Sequence, residues 1–267
     1  MRDLVTVDIT AEWTSDEIMA VVAARELTDE MICFVGIGLP STAANLARKT
    51  HAPGVVLIYE SGCIGSKPDR LPPSIGDGVL SRTADAVVSV PEIFTYWLQS
   101  GRIDVGFLGA AQVDRRGNIN TTVIGEYSHP RIRLPGAGGA PEIATSCGKV
   151  IITLRHSVRA LVEKLDFVTS VGHSPNGGSQ HFSARDEKGP QAIITDLGVL
   201  RYDSALGEFV LTAVHPGIDV NHVISLTGWP LKVADQVEVT LAPTKLELAV
   251  LRRFVDSKEG TVGTVRL

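Results

Sequence analysis

The stretch V-V-L-I-Y-E-S-G, residues 55–62, places a lone carboxylate, Glu60, directly after a run of apolar side chains. A glutamate carried to the end of a buried segment is paired, exposed at a sheet edge, or desolvated. There it can work as a general base or as a covalent nucleophile, and Ser61-Gly62 leaves room for a turn that presents it. The ordinary alternative is a strand-end glutamate held in a surface salt bridge. Ser61 lacks the G-x-S-x-G surroundings of a hydrolase elbow, so it is not the expected nucleophile.

Other segments carry groups that suit such a carboxylate. Gly136-Ala137-Gly138-Gly139-Ala140, after Pro135, can aim several backbone N–H groups at a developing oxyanion, or form a plain turn. Gly36-Ile37-Gly38-Leu39-Pro40 lets backbone approach an anion at a helix start. The position three after Gly38 is Ser41, so the dinucleotide fingerprint is incomplete and a tight strand-to-helix turn is the default. Gln112, Asn118 and Asn120 follow a strand and can orient a substrate; for Asn118, after Gly117, a hydrogen-bonded turn is favoured. His129, in E-Y-S-H-P, is a further candidate, whereas the seven histidines together form no i,i+4 pair or metal spacing. Arg70, Arg131 and Arg133 are candidates for a substrate's distal carboxylate, against the commoner role of an exposed arginine.

The elements that must hold these groups alternate. Thr14-Ser15-Asp16-Glu17 is a capping box opening a helix with Ile18, Val21 and Val22 on its apolar stripe. M-I-C-F-V (31–35) and Val55 to Tyr59 are short continuous apolar runs, as expected for strands buried on both faces. A small-residue helix from Ser41 to Lys49 separates them, and a Pro- and Gly-rich loop runs from Ser66 to Gly78. Ala84 to Val90 and Ile103 to Leu108 are further expected strands, with Pro91 in the first turn of a helix between them. This alternation predicts an α/β fold, an open and mostly parallel sheet with helices on both faces.

Gly117 to Gly139 reads as strand and loop, and Val150 to Leu154, Gln191 to Thr195 and Glu208 to Val214 as strands. Asp219 to Thr227 and Thr244 to Asp256 read as helices, and Gly172 to Gly189 as a polar loop. No linker, repeat or low-complexity tract interrupts the 267 residues, so one domain, 1–267, is expected. The net charge of −5, without basic clusters, gives no attraction to nucleic acid or a membrane surface. No apolar run reaches the ~20 residues that span a bilayer. The N-terminal M-R-D-L-V-T-V-D-I-T lacks a signal h-region, and Cys33, Cys63 and Cys147 are too few and scattered for disulfides or a metal. The expected location is the cytoplasm.

Taken in order, these segments resemble the β subunit of family I CoA-transferases, and most of all the glutaconate CoA-transferase type. The matching pieces are G-I-G-L-P (36–40), H-A-P (51–53), Y-E-S-G (59–62) and G-A-A-Q-V-D-R-R-G-N-I-N-T-T (109–122). H-P-R-I-R-L-P-G-A-G-G-A-P-E-I-A-T (129–145), D-F-V-T-S (166–170) and V-H-P-G (214–217) complete the set, which thins after about residue 172. The resemblance implies the CoA-transferase and NagB-RpiA-like sheet and assigns the catalytic glutamate of the E-x-G motif to Glu60. It implies that this carboxylate attacks an acyl-CoA thioester to give a mixed anhydride and CoA thiolate. The thiolate then attacks the glutamyl carbonyl to form an enzyme–CoA thioester, and the acceptor acid takes CoA by the reverse steps. On that reading Gly138, Gly139, Gln112, Ser61 and Gly62 serve the oxyanion and CoA, while Gly38, Asn120 and His129 serve the substrate.

Coenzyme A is then a substrate, and no cofactor or metal is implied. The E-S-G spelling, where the 3-oxoacid branch usually has E-N-G, points to the glutaconate-like branch with a dicarboxylic acyl group as the first expectation, a 3-oxo acid being the other class left open. The family needs a second, α-type half, of which this chain holds no copy. A separate α subunit and an α2β2 or larger hetero-oligomer are therefore expected, with the active site at their interface. Acyl-CoA hydrolysis, decarboxylation or hydrolytic ring opening on the same fold is the alternative activity, and a non-catalytic CoA-ester-binding subunit the alternative class. The retained Glu60 favours transfer.

Overall fold

The computed structural model describes residues 12–174 and 189–256. His181 and most of the expected 172–189 loop lie outside the described residues, as does the N-terminal run up to residue 11. Helix α1 (Ser15–Ala24) starts at the expected capping box: Glu17 N donates to Thr14 Oγ1 at 3.2 Å and Thr14 N to Glu17 Oε2 at 2.8 Å. The chain continues through β1 (Ile32–Val35), α2 (Leu39–Lys49), β2 (Val56–Tyr59), β3 (Cys63–Ile64), α3 (Gly78–Arg82) and β4 (Ala86–Val87). Helix α4 (Val90–Glu92) runs into a π-helical turn, Ile93–Leu98, before β5 (Val105–Gly109).

Four short strands follow as two hairpins, β6 (Gln112–Val113) with β7 (Ile119–Asn120) and β8 (Val123–Gly125) with β9 (Pro130–Arg133). Then come α5 (Ala140–Ser146), β10 (Lys149–Thr153), β11 (Pro190–Ile194), β12 (Gly198–Asp203) and β13 (Glu208–Val214). Helix α6 (Val220–Ser225), β14 (Lys232–Val239) and α7 (Lys245–Asp256) complete the order.

One ten-stranded sheet carries the order β14-β13-β12-β11-β10-β5-β1-β2-β3-β4. Its centre, β11-β10-β5-β1-β2, is parallel throughout; antiparallel pairings follow on both sides, and β14 closes one edge parallel to β13. Successive residues of the central strands face opposite sides, and both sides are buried. Cys33, Val35, Leu57, Tyr59, Val105 and Phe107 join one core with α1 and α2. Phe34, Ile58, Leu108, Val150 and Ile152 join the other, with Ile143 of α5 and Ile93 of the π turn. Helices thus cover both faces, which is why these strands read as unbroken apolar runs.

The departures from expectation have local causes. Of the strand expected over 84–90 only Ala86–Val87 forms, both residues exposed. Ser89 leaves the sheet to cap α4, its Oγ accepting from Glu92 N while Glu92 Oε2 accepts from Ser89 N. Strands β12 and β14 and helix α5 show no clear period in sequence. Strand β14 is almost wholly exposed at the sheet edge, and α5 has seven residues, too few to show a helical stripe.

Beyond β11, two histidines seal the far side of the sheet. His156 is buried, with Nδ1 3.1 Å from Thr195 Oγ1 and Nε2 3.0 Å from Thr227 Oγ1. Thr227 Oγ1 already donates to the Val223 carbonyl at 2.9 Å, so it accepts from His156 Nε2. Burial lowers the His156 pKa to about 4. His215 of V-H-P-G, which donates from Nε2 to the Thr195 carbonyl at 2.8 Å, is lowered by burial too.

Because the folded pKa of His156 lies below its unfolded value, the unfolded chain binds the extra proton first. Stability is therefore complete above the unfolded value and lost as pH falls toward the folded one. We expect the unfolding free energy, from urea titrations at several pH values, to be level above about pH 7. It should then fall by on the order of 3 kcal/mol for this residue as pH drops from about 6.5 to about 4. His156→Gln should flatten that slope; parallel curves for both proteins would remove His156 as the cause.

Candidate active site

Strands β1 and β2 run parallel with Val35 opposite Tyr59, so Gly36 and Glu60 leave the sheet side by side at its carboxyl edge. From β1 the chain moves outward to β2, and later to β5 and β10 on β1's other side, so the order reverses between β1 and β5. Ligands of open α/β sheets settle outside the carboxyl ends at such a reversal.

The turn that releases Glu60 is tightly specified. Gly62 N donates to the Tyr59 carbonyl at 3.0 Å, closing a turn with Glu60 and Ser61 at its centre. Gly62 has φ +102°, and a Cβ there would lie 2.0 Å from the Val88 carbonyl oxygen. Only glycine fits, both for its dihedral and for the close pass of the Val88 backbone. The Gly62 carbonyl in turn accepts from Val88 N at 3.0 Å. Behind the turn, Tyr59 is fully buried, and its hydroxyl accepts from Asn45 Nδ2 of α2 at 3.1 Å. Burial raises the Tyr59 pKa, so this anchor stays a neutral phenol.

The Glu60 side chain is half-buried, and among the described residues its carboxylate has no hydrogen-bond or ion-pair partner. The surface-salt-bridge alternative is thereby removed. Instead the carboxylate faces glycine backbone. A Cβ built on Gly139 would sit 3.1 Å from Glu60 Oε1 and 3.2 Å from Phe94 Cζ, and one on Gly138 3.7 Å from the same oxygen. Two glycines from the loop before α5 and a carboxylate from β2, far apart in sequence, thus share one small space. Phe94, on the π-helical turn and edge-to-face with Phe34 at 6.2 Å, forms its wall. Sequence reasoning missed Phe94, because an aromatic residue within I-F-T-Y-W-L looks like ordinary core.

The other sequence candidates fall in different places. Gly38, with φ +85°, caps α2 and faces open space: a Cβ there would meet nothing within 4 Å. Ser61 turns toward the buried Cys63, its Oγ 3.7 Å from Cys63 Sγ. Gln112 and Asn120 need correcting as ligand contacts. Asn120 is fully buried and donates to Gln112 Oε1 at 2.8 Å and to the Val123 carbonyl at 2.6 Å. Gln112 Nε2 donates to Asp166 Oδ2 at 3.2 Å. Both amides are spent on joining the hairpins to the 166–170 segment, since buried amides must be satisfied internally.

Asn118 is a turn residue as favoured, donating to Asp114 Oδ2 at 2.8 Å. His129 is exposed at the tip of the β8–β9 hairpin, next to Ser128 Oγ at 3.2 Å. Arg70 is taken up by Asp77, with both carboxylate oxygens 2.9 Å from its Nη2, which removes it as a free cation. Arg133 packs 4.6 Å over the Tyr127 ring, and Arg131 is exposed on β9.

Comparison with known proteins identifies the family. Residues 17–226 match the family described as coenzyme A transferase. The chain is 59% identical over 240 residues to a subunit of the 3-oxoadipate CoA-transferase of Pseudomonas knackmussii, covering 90% of this chain and 92% of that one. It is 34% identical over 252 residues to a subunit of the glutaconate CoA-transferase of Acidaminococcus fermentans, covering 91% of this chain and 93% of that one. The crystal structure of glutaconate coenzyme A-transferase from Acidaminococcus fermentans superimposes with a TM-score of 0.84 at 31% identity, over 92% of this chain and 95% of that one. An unpaired glutamate at the carboxyl edge of a doubly covered sheet, in a chain alike along nearly its whole length to two such subunits, leads to one conclusion: this protein belongs to the coenzyme A transferase family, as a β-type subunit.

Proposed function

We propose that Glu60 is the nucleophile of this CoA-transferase subunit and that the acid to which CoA is transferred is a dicarboxylic 3-oxo acid of the 3-oxoadipate kind. The observation that carries the first part is the unpaired Glu60 carboxylate lying against the backbone of Gly138 and Gly139. The second part is supported by the relative from Pseudomonas knackmussii, whose name gives 3-oxoadipate as its acid. That acid joins the two acyl classes, dicarboxylic and 3-oxo, left open by the sequence.

On this reading a Glu60 carboxylate oxygen adds to the thioester carbonyl, and the C–S bond breaks to give a glutamyl–acyl anhydride and CoA thiolate. The thiolate adds to the glutamyl carbonyl and expels the donor's carboxylate, leaving CoA on Glu60 as a thioester. The acceptor's carboxylate then attacks that thioester, and the released thiolate takes the acyl group from the second anhydride, freeing Glu60. Each step exchanges one acyl–oxygen or acyl–sulfur bond for another, with no net proton, electron or water consumed. Backbone N–H groups of Gly138 and Gly139 are the donors we assign to the tetrahedral oxyanions. Glycine suits that task because any Cβ at residue 139 would compete with Glu60 for the same space.

The same reading gives the chain a separate α-type partner, supported by the two relatives, each named as one subunit of a larger transferase. On this reading the active site lies at the interface with that partner. Coenzyme A is a substrate here, and no resident cofactor is assigned. A cytoplasmic location is part of the proposal, in keeping with three buried, unpaired cysteines.

The αβ complex, incubated with acyl-CoA and then borohydride, should yield a reduced adduct at Glu60 by peptide mass analysis. A water-activating base, as in hydrolysis or ring opening, would leave none. Glu60→Ala should abolish the adduct and lower kcat by about a thousand-fold or more; a Glu60→Ala complex with full turnover would defeat the mechanism. Gly139→Ala, which brings a methyl to 3.1 Å from Glu60 Oε1, should lower kcat by about a hundred-fold with little loss of melting temperature. Among acceptor acids, six-carbon 3-oxo dicarboxylates should give the highest kcat/KM; a preference for monocarboxylates would sink the substrate assignment.

A further inference from the structure

The D-F-V-T-S segment, 166–170, takes no part in the chemistry above, yet it is bonded into the hairpins that precede the glycine loop. Ile119 N donates to the Ser170 carbonyl at 2.9 Å, and Thr169 N to the Ile119 carbonyl at 2.8 Å. Asp166 Oδ2 accepts from Gly125 N at 2.9 Å as well as from Gln112. Thr169 Oγ1 accepts from Thr121 N at 2.9 Å and lies 2.7 Å from Thr122 Oγ1. This segment therefore fixes the backbone at 119–125 from behind.

From that frame Thr121 reaches toward the loop. Its Oγ1 donates to the Gly136 carbonyl at 2.8 Å, and its own carbonyl accepts from Gly136 N at 3.1 Å. The two residues are so close that a Cβ on Gly136 would lie 2.7 Å from Thr121 Cβ. Three residues further on is Gly139, in contact with the Glu60 carboxylate. A run of Gly136-Ala137-Gly138-Gly139 has little conformational preference of its own, so its path depends on what pins its ends. One end enters α5, and the other is stapled to Thr121.

We propose that Thr121, itself held by Thr169, is a positioning residue that sets where Gly138 and Gly139 stand relative to Glu60. The proposal rests on the reading of Glu60 as nucleophile. Removing the Thr121 hydroxyl leaves the backbone bond to Gly136 but frees the loop to move, and small displacements of oriented groups cost rate more than binding.

The test is made on the αβ complex. Thr121→Val should lower kcat by about ten-fold or more, with KM for acyl-CoA changed less than about three-fold. Thr121→Ser, which keeps the hydroxyl, should recover kcat to within about three-fold of the parent. Thr169→Val should show the same split between kcat and KM, and decides the matter if Thr121→Val does not assemble. Full kcat in Thr121→Val, with Glu60→Ala inactive, overturns the proposal alone. So does loss of activity that merely follows a lowered melting temperature and is equal for valine and serine. Full turnover in Glu60→Ala removes the nucleophile reading instead, whatever the threonine variants do.

Discussion

The backbone of Gly62 passing against Val88 is the constraint on which the site hangs. With φ at +102° and the Val88 carbonyl where any Cβ would be, the chain after β2 has one way to turn. That turn lifts Glu60 out of the strand at the carboxyl edge. It also ties the Glu60 turn, through Val88, to the segment that opens the π-helical turn bearing Phe94. Carboxylate and aromatic wall are thereby set by one close backbone contact, and the buried Tyr59 hydroxyl secures the strand end from below.

What surrounds the carboxylate explains why it can stay unpaired. It lies against the backbone of Gly138 and Gly139, with the Phe94 ring beside Gly139, and no cation among the described residues pairs with it. A charged partner would hold Glu60 in place but also lower its reactivity, whereas small neutral groups leave its lone pairs free for an incoming acyl carbon. The other polar residues of the region do the opposite. Gln112, Asn120 and Asp166 satisfy one another almost completely and so behave as framework. A rigid polar brace on one side of the glycine loop and an unbraced carboxylate on the other is the division of labour the geometry supports.

Much of this is legible in the order of residues. The strands at Ile32–Val35 and Val56–Tyr59 stand out because both faces of each are buried, and α1 because a reciprocal cap is a local signal. Glu60 is legible because an acid at the end of such a strand is costly unless it has a task. The edge strand β14 is not, since an exposed strand carries no apolar run, and α5 is too short to show a period. Gln112 and Asn120 read as ligand contacts because amide side chains in a glycine-rich stretch look free; burial turns them inward. Phe94 carries no signal, and Thr121, though inside the matching 109–122 segment, shows nothing of its role, because a phenylalanine among apolar residues and a threonine beside another are ordinary until their neighbours are known.

Local choices are therefore written along the chain: which segments are buried strands, where helices cap, where glycine must take a positive φ, and which carboxylate is out of place. Those follow from one residue's chemistry and that of its near neighbours. Folding in three dimensions alone brings Glu60 to Gly139, staples Thr121 to Gly136, and reverses the chain order beside β1. Those contacts join residues far apart in sequence. They depend on strand order and on the depth to which each loop is packed, neither of which any single segment records.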